Sequence, residues 1–134
     1  MAAAVSETES QLHQAGEVTL NAAGQGVLTF DPSNARQRWV VSSVVVSTDQ
    51  AADATVVPVA TVAKNTAIVS NLSQGNARGS SWSGNQDVFA GEIDISAADY
   101  LSILFAPAAG QSGSALAGVI AYATITGTIY TRRA

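Results

Sequence analysis

From Leu116 to Tyr130 the chain alternates in character from one residue to the next. Ala117, Val119, Ala121, Ala123, Ile125, Gly127 and Ile129 fill one set of positions, and the interleaved set runs from Leu116, Ile120 and Tyr122 into Thr124, Thr126, Thr128 and Tyr130. Successive side chains on a strand point to opposite faces, so this pattern predicts a long β-strand buried on one side. The Val-rich run 38–48, containing Trp39, Val40, Val41, Val44, Val45 and Val46, predicts a central strand, with a bulge where the alternation slips at Ser42-Ser43 and with Trp39 in the core. Shorter strands are expected at 17–20, 27–30, 66–72, 87–89, 92–96 and 100–106. The segment 21–26 holds an asparagine and two glycines, which suit the positive φ of a hairpin connection between 17–20 and 27–30. Asp31-Pro32-Ser33-Asn34 is a turn by residue chemistry. A strand at 55–62 carries Pro58, which cannot donate to a ladder and is therefore expected at a sheet edge or a bulge.

Two irregular stretches, 73–86 around Trp82 and 107–114, separate these elements, and no run shows a helical period. Eight to nine short strands with turn signals between them indicate an all-β domain, a β-sandwich of jelly-roll type, over 16–134. The first 15 residues, polar and weakly acidic with Glu7 and Glu9, show no sheet periodicity and read as an N-terminal arm or short helix.

Composition changes the picture of the surface. Of 134 residues, 47% are hydrophobic but only 12% are charged, about half the usual share, so Ser, Thr, Asn, Gln and Gly must cover the exterior. Charge depletion is what protein interfaces show at their centres, and this points to a surface made for contact. A net charge of −4 argues against nucleic acid, which needs clustered Lys and Arg. No stretch reaches the roughly 18 apolar residues of a membrane-spanning helix, and no basic-then-apolar leader opens the chain.

The chemical inventory is thin. There is no cysteine and a single histidine, His13, far from any serine-bearing elbow. The glycine-rich segment 75–81 lacks the Lys-Ser/Thr of a phosphate loop. Asp87, Glu92, Asp94 and Asp99 lie close in sequence and could in principle cleave glycosides or hold Ca²⁺, but Asp94 between Ile93 and Ile95 reads as an outward strand residue and Asp99 as a turn residue. No enzyme activity, metal or cofactor is expected. The candidate interaction residues are Leu12 and His13 in the arm and Arg78 and Trp82 in the long loop, where an exposed Trp could anchor a partner or stack on a sugar.

The run Gly16-Glu17-Val18-Thr19-Leu20-Asn21-Ala22-Ala23-Gly24-Gln25-Gly26, followed by Thr29-Phe30 and Gln37-Arg38-Trp39-Val40-Val41, and later Ser83-Gly84-Asn85-Gln86-Asp87 and Ala123-Thr124-Ile125-Thr126-Gly127-Thr128, resembles small virion proteins of tailed phages that infect actinobacteria. The resemblance implies a β-sandwich or jelly-roll protein located in the virion. It implies a capsid decoration (cement) role, bound to the major capsid protein on the assembled head, or alternatively a tail or fibre-associated role in host attachment or carbohydrate binding. A homo-oligomer, with a trimer favoured, fits such a lattice. If the arm is the anchor, removal of residues 1–14 is expected to leave a folded domain that no longer docks.

Overall fold

The computed structural model describes residues 7–50, 56–72, 86–107 and 110–133. Its strands are β1 (Glu7–Thr19), β2 (Gly26–Phe30), β3 (Gln37–Thr48), β4 (Pro58–Lys64), β5 (Ala67–Leu72), β6 (Gln86–Ile95), β7 (Leu101–Pro107) and β8 (Ile120–Arg132), with a 3-10 turn at Gly113–Leu116. They pair antiparallel in two four-stranded sheets, ordered β1-β8-β3-β6 and β2-β7-β4-β5. Every connection except β4 to β5 passes from one sheet to the other. That is the double Greek key of an eight-stranded jelly roll.

The core lies between the sheets. Val41, Val44 and Val46 of β3, Ala121, Ala123 and Ile125 of β8, and Ile93 and Ile95 of β6 face Ala60 and Val62 of β4 and Leu101, Ile103 and Phe105 of β7. Trp39 is buried with them, as its place in the Val-rich strand predicted. The slip at Ser42 is present: β3 shifts register between Val41 and Ser43 against both of its neighbours. Gly127 of β8 sits where that bulge tips the backbone inward. A Cβ there would lie 2.0 Å from the Val40 carbonyl oxygen, so only glycine lets the two strands close.

Four local expectations are corrected. Residues from Glu7 to Ala15 form neither an arm nor a short helix; they are the first part of β1, paired residue for residue with β8. Their period of two was hidden because Leu12 is the one fully buried position among them, while both faces are otherwise polar and exposed. The Asn21–Gln25 turn does not close a hairpin, since β1 pairs with β8 and β2 with β7; it arches from one sheet to the other. Its chemistry is as expected, with Asn21 Oδ1 accepting the amides of Ala23 and Gln25 at 2.9 and 3.1 Å and Gly24 at φ 74°.

Pro58 is not on an edge strand. β4 lies between β7 and β5, and Pro58 is tolerated because it is the first residue of the strand, opposite Pro107. The segments 87–89 and 92–96 join into the single strand β6, which runs through Ala90-Gly91 beside the β3 bulge.

Candidate interaction surfaces

The two sheets turn very different faces to solvent. On the first, pairing lines up Glu9, Tyr130 and Arg38 from β1, β8 and β3, then Gln11, Thr128, Val40 and Asp94, then His13, Thr126, Ser43 and Ala90. Ser43 and Thr126 hydroxyls bond to each other across this face.

At one end of it, Arg38 holds all four strands together. Its guanidinium lies 4.1 Å from the Tyr130 ring centroid. Nε and Nη2 donate to the two carboxylate oxygens of Glu7 at 3.3 Å each, and Nη1 donates to Asp94 Oδ1 at 3.4 Å. The Glu7 bond, then the two carboxylate charges, raise the arginine above its already high ordinary pKa. Each contact is exposed and individually weak, but the set ties β1, β3, β6 and β8 at one point.

Two shallow cavities of about 180 and 300 Å³ flank this cluster, one lined by Glu7, Arg36, Arg38, Ser96 and Arg132, the other by Arg38, Lys64, Asp94, Ser96 and Asp99. Lys64 pairs with Asp99 at 3.8 Å, and Asp99 also accepts from Asn65 Nδ2 and from the Ser96 amide and hydroxyl, each at 3.0 Å. In the second cavity Arg38 and Lys64 are met by Asp94 and Asp99, the first sets three arginines against Glu7, and the one hydroxyl on a carboxylate, Ser96 on Asp99, belongs to a turn in which Asn65 and Lys64 also hold Asp99. Among the described residues no three His, Cys, Asp or Glu side chains gather as metal ligands, and no helix is long and apolar enough to cross a membrane. Asp94 and Asp99 are thus occupied in structural pairing.

The second sheet presents a surface almost without charge, whereas the first also exposes Val88 and Tyr122 among its charged residues. In β2, β4, β5 and β7 the one charged residue is Lys64, at the end of β4. Val27, Leu104, Thr61 and Asn71 line up across its four strands, followed by Thr29, Ser102, Ala63 and Ile68. Ile68 is 65% exposed, Val27 53% and Leu104 44%, with Val69 also turned to solvent at the irregularity in β5. Large apolar side chains thus stand exposed on an otherwise uncharged sheet face.

Sequence reading passed over this face. Ile103-Leu104-Phe105 is an unbroken apolar run, and such a run does not say which of its residues points inward. The candidates named from sequence are scattered. Leu12 is fully buried in the core and cannot meet a partner; His13 is exposed on β1; Arg78 and Trp82 lie outside the described residues.

A chain in the acid-stable capsid structure of Helicobacter pylori bacteriophage KHP30 superposes with a TM-score of 0.51 at 11% identity, covering 94% of this chain and 93% of that one. The fold is similar to a phage capsid jelly roll. Two weaker likenesses, to the infectious bursal disease virus VP2 subviral particle (TM-score 0.42, 10% identity, 96% of this chain and 37% of that one) and to turnip yellow mosaic virus (0.41, 9%, 98% and 84%), add nothing to that assignment. No family model matches the sequence, and no curated protein does.

Proposed function

We propose that this chain is a structural protein of a tailed-phage virion, of the actinobacterial kind its sequence resembles, and that it decorates the assembled head. Docking on the major capsid protein uses the outer face of the second sheet, and copies assemble as symmetric clusters, with a trimer as the expected arrangement. The protein works by contact and performs no chemistry. The observation that carries this reading is the uncharged face of β2, β7, β4 and β5, with Val27, Ile68 and Leu104 exposed upon it. A lone soluble domain gains nothing from such a surface, whereas a subunit repeated on a lattice gains from many modest contacts. Similarity to a chain of a phage capsid structure over nearly the full length of both supports the same reading.

Purified heads lacking the protein, mixed with the wild-type chain and imaged, are expected to show added density at regular lattice positions. Ile68→Glu and Leu104→Glu place carboxylates on the exposed face without touching the core, and each is expected to weaken head binding about tenfold or more while circular dichroism stays unchanged. Density confined to tails, or binding indifferent to both substitutions, would refute the docking face.

A further inference from the structure

The outer edge of β1 offers a second contact. β1 pairs with β8 on one side over its whole length, and among the described residues no strand pairs with its other side. The amide of Leu20, immediately after β1, donates to Val119, and Arg132 at the far end of β8 donates to Arg36 beyond β3. Backbone groups alternate in direction along a strand, so even-numbered residues of β1 bond to β8. Those of Glu7, Glu9, Gln11, His13 and Ala15 point at the open edge. From Gly16 onward β2 of the other sheet packs against the inner face of the strand: a Cβ on Gly16 would meet Leu28 at 3.3 Å, and Val18 and Leu20 lie against Gly26. The stretch of the edge ahead of these contacts is Glu7 to Ala15. It contains no proline, lysine, bulge or inward-pointing charge, devices by which monomeric proteins blunt an edge, and its charged residues are Glu7 and Glu9.

We infer that this edge pairs antiparallel with the same edge of a second copy about a two-fold axis at Gln11, joining the two β1-β8-β3-β6 sheets into one continuous eight-stranded sheet. Gln11 is the midpoint of that stretch, so this register pairs all of Glu7 to Ala15. Gln11 then faces its counterpart in a hydrogen-bonded pair, Glu7 faces Ala15, and Glu9 faces His13 twice, a carboxylate opposite an imidazole on the same face of the sheet. Glu9 makes no ion pair within its own chain among the described residues, whereas Glu7 is already held by Arg38. Moving the axis to Leu12 sets Glu7 against Glu17, and moving it to His13 sets Glu9 against Glu17, so like charges reject both neighbouring registers on that side. Moving it to Ser10 shortens the overlap and leaves Glu9 opposite Gln11. The occupant is a second copy, because this register sets the edge's own Glu9 carboxylate against its own His13 imidazole. A two-fold contact of this kind would link clusters formed through other surfaces, and it does not depend on the docking face proposed above.

Sedimentation velocity of the isolated full chain over a concentration series tests the pairing. The wild type is expected to shift from monomer to dimer. Gln11→Pro removes an amide aimed at the open edge while leaving every bond to β8, and is expected to weaken the dimer roughly tenfold or more, since the two-fold repeats each lost bond. His13→Glu opposes two pairs of carboxylates and is expected to abolish the dimer; adding Glu9→Lys to it is expected to restore association, with circular dichroism confirming that each variant is folded. A wild type that stays monomeric to high concentration, a dimer indifferent to Gln11→Pro and His13→Glu, or a double variant that fails to recover overturns the proposal.

Discussion

Leu12 and Gly127 face each other across the β1–β8 ladder, and Val41 completes the row on β3. Leu12 is fully buried there, the single anchor of a strand whose other side chains up to Ala15 are exposed. Truncating it leaves a cavity that the sheets cannot collapse to fill, so Leu12→Ala is expected to cost about 2–5 kcal/mol in chemical denaturation. Gly127→Ala acts by the opposite route. Its methyl group would overlap the Val40 carbonyl, which is backbone and cannot swing away, and the expected loss is about 3 kcal/mol or more, read as a lowered Tm. The need for a bulge at Ser42 was readable from the broken alternation of the Val-rich run. That Gly127 is its partner was not, because a glycine in an alternating strand looks the same whether it relieves a clash or merely weakens the strand.

At the scale of elements, β1 changes what truncation should do. Removal of residues 1–14 strips Leu12 from the core and the first eight ladder pairs from β8, so the shortened chain is expected to melt well below the intact one rather than persist as a folded domain that has lost only its docking. Thermal unfolding of both chains decides this. The tip of the β4–β5 hairpin is likewise bound into the fold: Asn65, at φ 56°, donates its backbone amide to the Tyr100 carbonyl, accepts the Tyr100 amide at 3.1 Å on its side-chain oxygen, and donates its side-chain nitrogen to Asp99. The Asn65 bond first, then the Ser96 bonds and the Lys64 charge, hold the Asp99 carboxyl down from 3.8 to about 2. A carboxyl whose folded value is depressed stabilises in full above its unfolded value and loses that contribution as the pH falls toward the folded one. Stability is therefore expected to drop between about pH 4 and pH 2, and Asp99→Asn to be less stable at neutral pH with a shallower acid limb in urea titrations at each pH.

At the scale of the molecule, the low charged fraction is not spread evenly. Charge sits on the first sheet and at one end, where Arg38 and Lys64 are met by Glu7, Asp94 and Asp99, while the second sheet's strands are almost bare of it. One molecule thus carries a face suited to dry contact and, on the other sheet, an acidic and histidine-bearing edge suited to its own copy. Combining Ile68→Glu with His13→Glu is expected to give losses of head binding and of self-association that are each no larger than in the single variants, since the two surfaces belong to different sheets; binding and sedimentation assays on the double variant check this.

Alternation in β8, the dense Val run of β3 and the turn residues between short strands determined by themselves that the chain is an all-β sandwich, because period-two burial is a local consequence of strand geometry. Low charge and the lack of paired catalytic groups likewise made contact, not reaction, the expected work. Only the tertiary structure decided which strands pair, that residues 7–15 extend a sheet, that Leu12 is core, and which apolar residues face outward. Partner choice and sidedness arise from contacts between residues far apart in the chain, and a strand that is polar on both faces, or apolar on both, carries no local mark of where its neighbours lie.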